Sequence, residues 1–93
     1  MKMINKYRII RAATGRTQAE MARAVGLSLR TIKVVEKENA VTDQTIAKYA
    51  AATGIHKATL QQIDLRGLTY VEAIHYISSL MIESKKNKRR SIS

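Results

Sequence analysis

The 93-residue chain has no cysteine, proline, tryptophan or phenylalanine. Without cysteine, neither disulfides nor thiolate zinc sites can hold it together, which suits a cytoplasmic setting. No apolar run approaches the roughly eighteen residues of a membrane span, and the first residues lack a signal-peptide core. No membrane partner is therefore expected. Strand-like alternation is hard to find, so the class expected is all-α. His56 and His75 stand 19 positions apart without metal-ligand company, serine and threonine are mostly taken up as helix caps, and no glycine-rich phosphate loop is visible. These absences argue against an enzyme, a metal site and a cofactor alike.

What the chain does have is positive charge, unevenly placed. The formal net charge is +10. Residues 1–30 carry seven basic groups against Glu20 alone, residues 31–84 are close to balanced, and residues 85–93 add five more basic groups. Such a balance favours a polyanion, because neutralising phosphates releases condensed counterions. Charge alone does not choose between DNA, RNA and an anionic membrane surface.

Residues 17–37, TQAEMARAVGLSLRTIKVVEK, make that choice. Two short helical patterns meet at one glycine. Counting Gln18 as the first position, the fifth is Ala22, the ninth Gly26, the fifteenth Ile32 and the eighteenth Val35. Ala22 is small where two helices approach closely, and Gly26 sits where a turn needs positive φ. Ile32 and Val35 share one helical face, with Met21, Val25 and Leu27 supplying the opposing apolar surface. Thr17 to Glu20 reads as a capping box, and Ser28 as the N-cap of the second helix. The expected helices run from Gln18 to Val25 and from Leu29 to Lys37. An ordinary helical hairpin in another all-α domain would share some of these features, but not their coincidence with a basic outer face.

Around this motif the pattern places a first helix over Lys6–Thr14, capped by Asn5 and ended by Gly15. Its inward stripe is Tyr7, Ile10 and Ala13, or Ile9 and Ala13. After a polar loop, a helix runs from about Asp43 to Thr53 and closes at Gly54; a short fifth helix spans Lys57 to Ile63. Leu65 to Leu68 looks like a break. A second capping box, Thr69 to Glu72, then opens a helix to about Glu83, with Tyr70, Ile74, Ile77 and Met81 along one face. That face either packs on its own domain or pairs with its twin across a two-fold axis, and the second is the expectation carried forward, with Tyr70, Ile74, Ile77 and Met81 as dimerisation residues. Residues 85–93 are expected to be a disordered basic tail, either a solvated terminus or an arm on phosphates. The expected division is thus a compact unit over 1–63, a C-terminal helix over 64–84, and the tail.

The stretch from about Tyr7 to Ile63 resembles the Cro/CI-type, or lambda-repressor-like, helix-turn-helix family. The resemblance rests on Tyr7-Arg8-x-x-Arg11, Gly15, Thr17-Gln18, Ala22, Gly26-Leu27-Ser28, Thr31-Ile32, Glu36 and Gly54-Ile55. It implies a five-helix domain that binds operator DNA, usually as a dimer, with the third helix in the major groove. It also implies that Gln18 bonds a phosphate and braces the recognition helix, and that Arg11 and Glu36 pair to tie helix 1 to the end of helix 3. Three positions depart from the family pattern. Glu38 replaces a preferred glycine, so the chain exits differently or Asn39 takes the left-handed turn; the following loop lacks its usual proline; and Lys33 replaces a small polar residue.

With Ile32 and Val35 inward, the third helix turns Ser28, Leu29, Arg30, Lys33, Val34 and Lys37 outward. Arg30 and Lys33 are one turn apart and suited to guanine O6 and N7, Arg30 the better through its planar fork. Leu29 and Val34 suit thymine methyls, while Arg16, Ser28, Thr31 and Lys37 suit phosphates. Phosphate contact remains the alternative for Arg30. The function expected is that of a sequence-specific regulator of transcription on double-stranded DNA, a homodimeric repressor of a phage, plasmid or other mobile element. The alternative is an antitoxin or accessory protein whose C-terminal helix binds a different protein, such as a toxin or an antirepressor.

Overall fold

Apolar residues on more than one side of the first helix set the architecture. In the computed structural model the backbone is described for residues 5–38 and 41–92, and side chains as far as residue 82. The described residues form six α-helices and no strand: α1 (Lys6–Thr14), α2 (Gln18–Val25), α3 (Leu29–Glu38), α4 (Asp43–Thr53), α5 (Lys57–Gln62) and α6 (Tyr70–Ile92). Tyr7, Ile9 and Ile10 of α1 are all fully buried. One helix face cannot hold all three, so α1 needs a neighbour on each side. It packs on α3 through one part of its surface and on α6 through another.

Local chemistry marks each end. The Asn5 side chain accepts from the Tyr7 and Arg8 amides at 2.9 and 3.1 Å, satisfying two of the free donors that open α1. Thr17 accepts from the Glu20 amide at 3.1 Å while the Glu20 carboxylate accepts from the Thr17 amide at 2.8 Å. The same reciprocal pair joins Thr69 and Glu72 at the start of α6. Gly26 ends α2 at φ 76°, a left-handed conformation that strains any residue bearing a Cβ. Through it the chain turns sharply from α2 into α3, and the amides of Gly26 and Leu27 both donate to the Ala22 carbonyl at 2.9 Å.

A single apolar core runs from Tyr7 through Met21, Ile32, Val35, Tyr49 and Leu60 to Ala73 and Ile77. Three features differ from the sequence expectation. α3 is one residue longer and keeps Glu38 helical; Asn39, considered for the left-handed turn, lies outside the described residues. α6 runs through to Ile92, past the end expected near Glu83, and so takes in the run expected as a disordered tail, whose side chains lie outside the described residues. No glycine or proline interrupts 68–93, and lysine and arginine propagate a helix well and suit its C-terminal end.

The third difference concerns the expected dimer seam. Ile77 is fully covered within the chain, as is Ala73, while Ile74, Leu80 and Met81 are half-buried against the same core. Ile77 therefore has no surface left for a second copy, because burial against α1 stabilises the apolar face within one chain by about 1.5–3 kcal/mol per large side chain. Tyr70 alone of the four stands open, at 53% exposure. The side of α6 away from the core carries Val71 and Ile82, both more than half exposed. They are eleven residues, or close to three turns, apart.

Candidate nucleic-acid interface

α3 has two unlike faces. Ile32 and Val35 are buried against the rest of the molecule. Arg30, Lys33 and Lys37 are exposed, as are Leu29 and Val34 at 41% and 42%. The four residues proposed to read bases thus lie together on the open surface of one helix. Two charged and two apolar side chains at this spacing can meet both the polar edges and the methyl groups of a major groove.

The side chains expected on phosphates lie at the start and end of α3, at the start of α2 and in the turn before it. Ser28 caps α3 by accepting from the Thr31 amide at 3.1 Å, and the two hydroxyls lie 2.8 Å apart. Ser28 is exposed and Thr31 half-buried. Arg16 lies in the α1–α2 turn, half-buried, with its guanidinium beside the Met21 sulfur. Lys37 is exposed at the end of α3, and Gln18 is the first residue of α2.

Behind the face, α3 is fixed by a buried acid. The Glu36 side chain is only 5% exposed. Its Oε2 accepts from Arg11 Nε at 2.7 Å, and its Oε1 accepts from Arg11 Nη2 at 3.1 Å and from Gln18 Nε2 at 3.2 Å. Arg11 also donates from Nη1 to the Arg16 carbonyl at 3.1 Å. Hydrogen bonding to Glu36 raises the Arg11 pKa further above its ordinary value, so the guanidinium is permanently charged. A forked guanidinium accepted by both carboxylate oxygens fixes orientation as well as distance. One carboxylate on α3 thereby joins α1, α2 and the turn between them.

Two further attachments have no local signature in the sequence. The Asn5 Nδ2 donates to the Val35 carbonyl at 2.9 Å, so the cap of α1 also satisfies a carbonyl near the end of α3. Lys6 Nζ donates to the Leu60 carbonyl at 2.9 Å and ties α1 to the end of α5; burial lowers its pKa. Arg8 stands exposed on α1, where it shares an open depression with Arg11, Gln18, Lys33, Glu36 and Lys37. Its position three residues before Arg11, on the same side of a helix, is the signal that could have placed it there.

Among the described residues no three His, Cys, Asp or Glu side chains gather as metal ligands, and no helix is long and apolar enough to cross a membrane. His56 accepts from the Ala58 amide through Nδ1 and so caps α5, and His75 is exposed on α6. In comparisons with known proteins, a family model described as helix-turn-helix matches residues 8–60. Neither a curated protein nor a solved structure gave a match.

Proposed function

Since the chain belongs to the Cro/CI-type helix-turn-helix family and is a DNA-binding regulator of transcription, we propose that it is a repressor that binds a palindromic operator as a homodimer, with α3 in the major groove. In this reading it works in the cytoplasm, on a phage, plasmid or other mobile element. The observation that carries it is the exposed face of α3, where Leu29, Arg30, Lys33 and Val34 stand clear of the core. Arg30 and Lys33 take guanine edges, while Leu29 and Val34 meet thymine methyls. Arg16, Gln18, Ser28, Thr31 and Lys37 hold phosphates on either side and set the register.

Gln18 has two roles in this scheme. One N–H of its amide is spent on Glu36, which leaves the other for a phosphate. The base-reading helix and the phosphate-binding start of α2 are then held in one geometry by the same carboxylate. In vitro selection of bound duplexes tests the reading. A palindrome whose half-sites lie about 34 Å apart is the expected product; selection of no common sequence would refute it.

The homodimer needs a surface that Ile77 does not supply, and the outward side of α6 supports one through Val71 and Ile82. The same exposed apolar residues also favour a second reading, an antitoxin or accessory protein that offers α6 to a different chain. Sedimentation of the intact chain separates the two. A dimer weakened by Val71→Glu and Ile82→Glu supports the first, and a monomer at all concentrations the second.

A further inference from the structure

The depression between α1, α2 and α3 is lined by Arg8, Arg11, Lys33 and Lys37 against a single acid, Glu36. That acid is already satisfied, since both of its oxygens accept from Arg11 and one also accepts from Gln18. Three positive charges therefore remain in excess. Among the described residues Arg8, Lys33 and Lys37 have no ion-pair or side-chain hydrogen-bond partner, so the excess is directed at something outside the chain. The charged groups left free in the depression are all donors, a guanidinium and two ammonium groups, and Gln18 adds one free N–H. Such a set suits a tetrahedral polyanion oxygen cluster, and it comes from three separate elements held rigid by the Arg11–Glu36 pair.

The geometry points to this depression as a seat for one phosphate of the DNA backbone, with Arg8 bringing α1 onto the strand alongside Lys37 and Gln18. Lys33 makes the depression continuous with the base-reading face of α3, which favours a nucleic-acid phosphate over an acidic protein surface. The inference rests on the DNA-binding reading and extends the interface to a helix not otherwise assigned to it.

The test compares duplex binding by the full chain, Arg8→Ala, Arg8→Lys and Arg66→Ala across a salt series. Arg66 is exposed and paired with Asp64 far along the chain, so its loss controls for net charge. Arg8→Ala is expected to reduce the slope of log affinity against log salt by about 0.9, equally on selected and random duplexes. Arg8→Lys is expected to restore the slope, and Arg66→Ala to leave it unchanged. An unchanged slope in Arg8→Ala overturns the seat. If the parent chain binds no duplex at all, the DNA reading fails by itself, and the seat is judged by titrating the isotopically labelled chain with inorganic pyrophosphate. Movement of the Arg8 side-chain resonance supports an anion seat independent of DNA; a silent Arg8 overturns it. Equal movement of that resonance with an acidic peptide and with pyrophosphate would also overturn the assignment to phosphate.

Discussion

Replacing Glu36 by alanine removes the acceptor of three hydrogen bonds and leaves Arg11, whose side chain is four-fifths covered in the intact chain, without its carboxylate. Removing one member of a fully buried pair costs roughly 3–5 kcal/mol, because the survivor remains desolvated. Arg11 keeps one-fifth of its side chain in water, so the expected loss is smaller, about 2–3 kcal/mol. A domain of this size has a total stability of roughly 5–14 kcal/mol, so the variant should remain folded with a much lower urea midpoint. Glu36→Gln keeps the shape but loses the charge, and an intermediate loss of about 1–2 kcal/mol is expected. The companion variant Arg11→Met should be costly alone yet cost far less once Glu36 is already alanine, with a coupling of about 1–3 kcal/mol. Urea unfolding followed by helical circular dichroism measures all four corners of that cycle. Because the pair is covered, the coupling should persist at high salt, where an exposed pair would be screened. Additive losses, or a loss below about 0.5 kcal/mol for Glu36→Ala, would show that α3 is not held through this carboxylate.

At the interface, Arg30→Ala is expected to weaken binding to a selected duplex by about 1–3 kcal/mol and to relax one base preference; equal weakening on random duplexes would make Arg30 a phosphate contact. The capping boxes predict an acid-sensitive component of stability. Bonds from Thr17 and Thr69 hold the Glu20 and Glu72 carboxyls below their ordinary value of 4.5, so their contribution is complete above that pH and is lost as pH falls through the lowered folded-state values. Glu20→Gln with Glu72→Gln should flatten the acid limb of a stability-against-pH curve, and an unaltered limb would contradict the assignment. Ile77→Ala should cost about 2–4 kcal/mol in unfolding at any protein concentration, since the side chain is covered within one chain. A penalty that disappears on dilution would instead place Ile77 between two copies.

The last of these shows where sequence reasoning reached its limit, and why. Helix ends were legible because they depend on neighbours in sequence: Asn5, Thr17 and Thr69 bond amides two or three residues on, and Gly26 supplies a φ that other residues resist. The outward strip of α3 was legible for the same reason, since fixing Ile32 and Val35 inward determines what remains outside. Long-range attachments were not. Lys6 meets Leu60 across 54 positions and Asn5 meets Val35 across 30, and the carbonyls they reach belong to every residue type. Tyr7 and Tyr49 form an edge-on pair at 4.9 Å with both hydroxyls buried and lacking a protein partner, an arrangement that no hydropathy pattern announces. The partner of α6 lay between these cases. An apolar stripe says that something covers a helix, without saying what. Yet the alternative inward stripes of α1, Tyr7, Ile10 and Ala13 or Ile9 and Ala13, are both used. A nine-residue helix with apolar surface on two sides needs two neighbours, and here α3 and α6 supply them. In this chain the helix left without a partner was α6, so counting apolar faces, rather than choosing one per helix, assigns its Ala73–Ile77 side to α1 and leaves Tyr70, Val71, Tyr76 and Ile82 exposed for a second molecule.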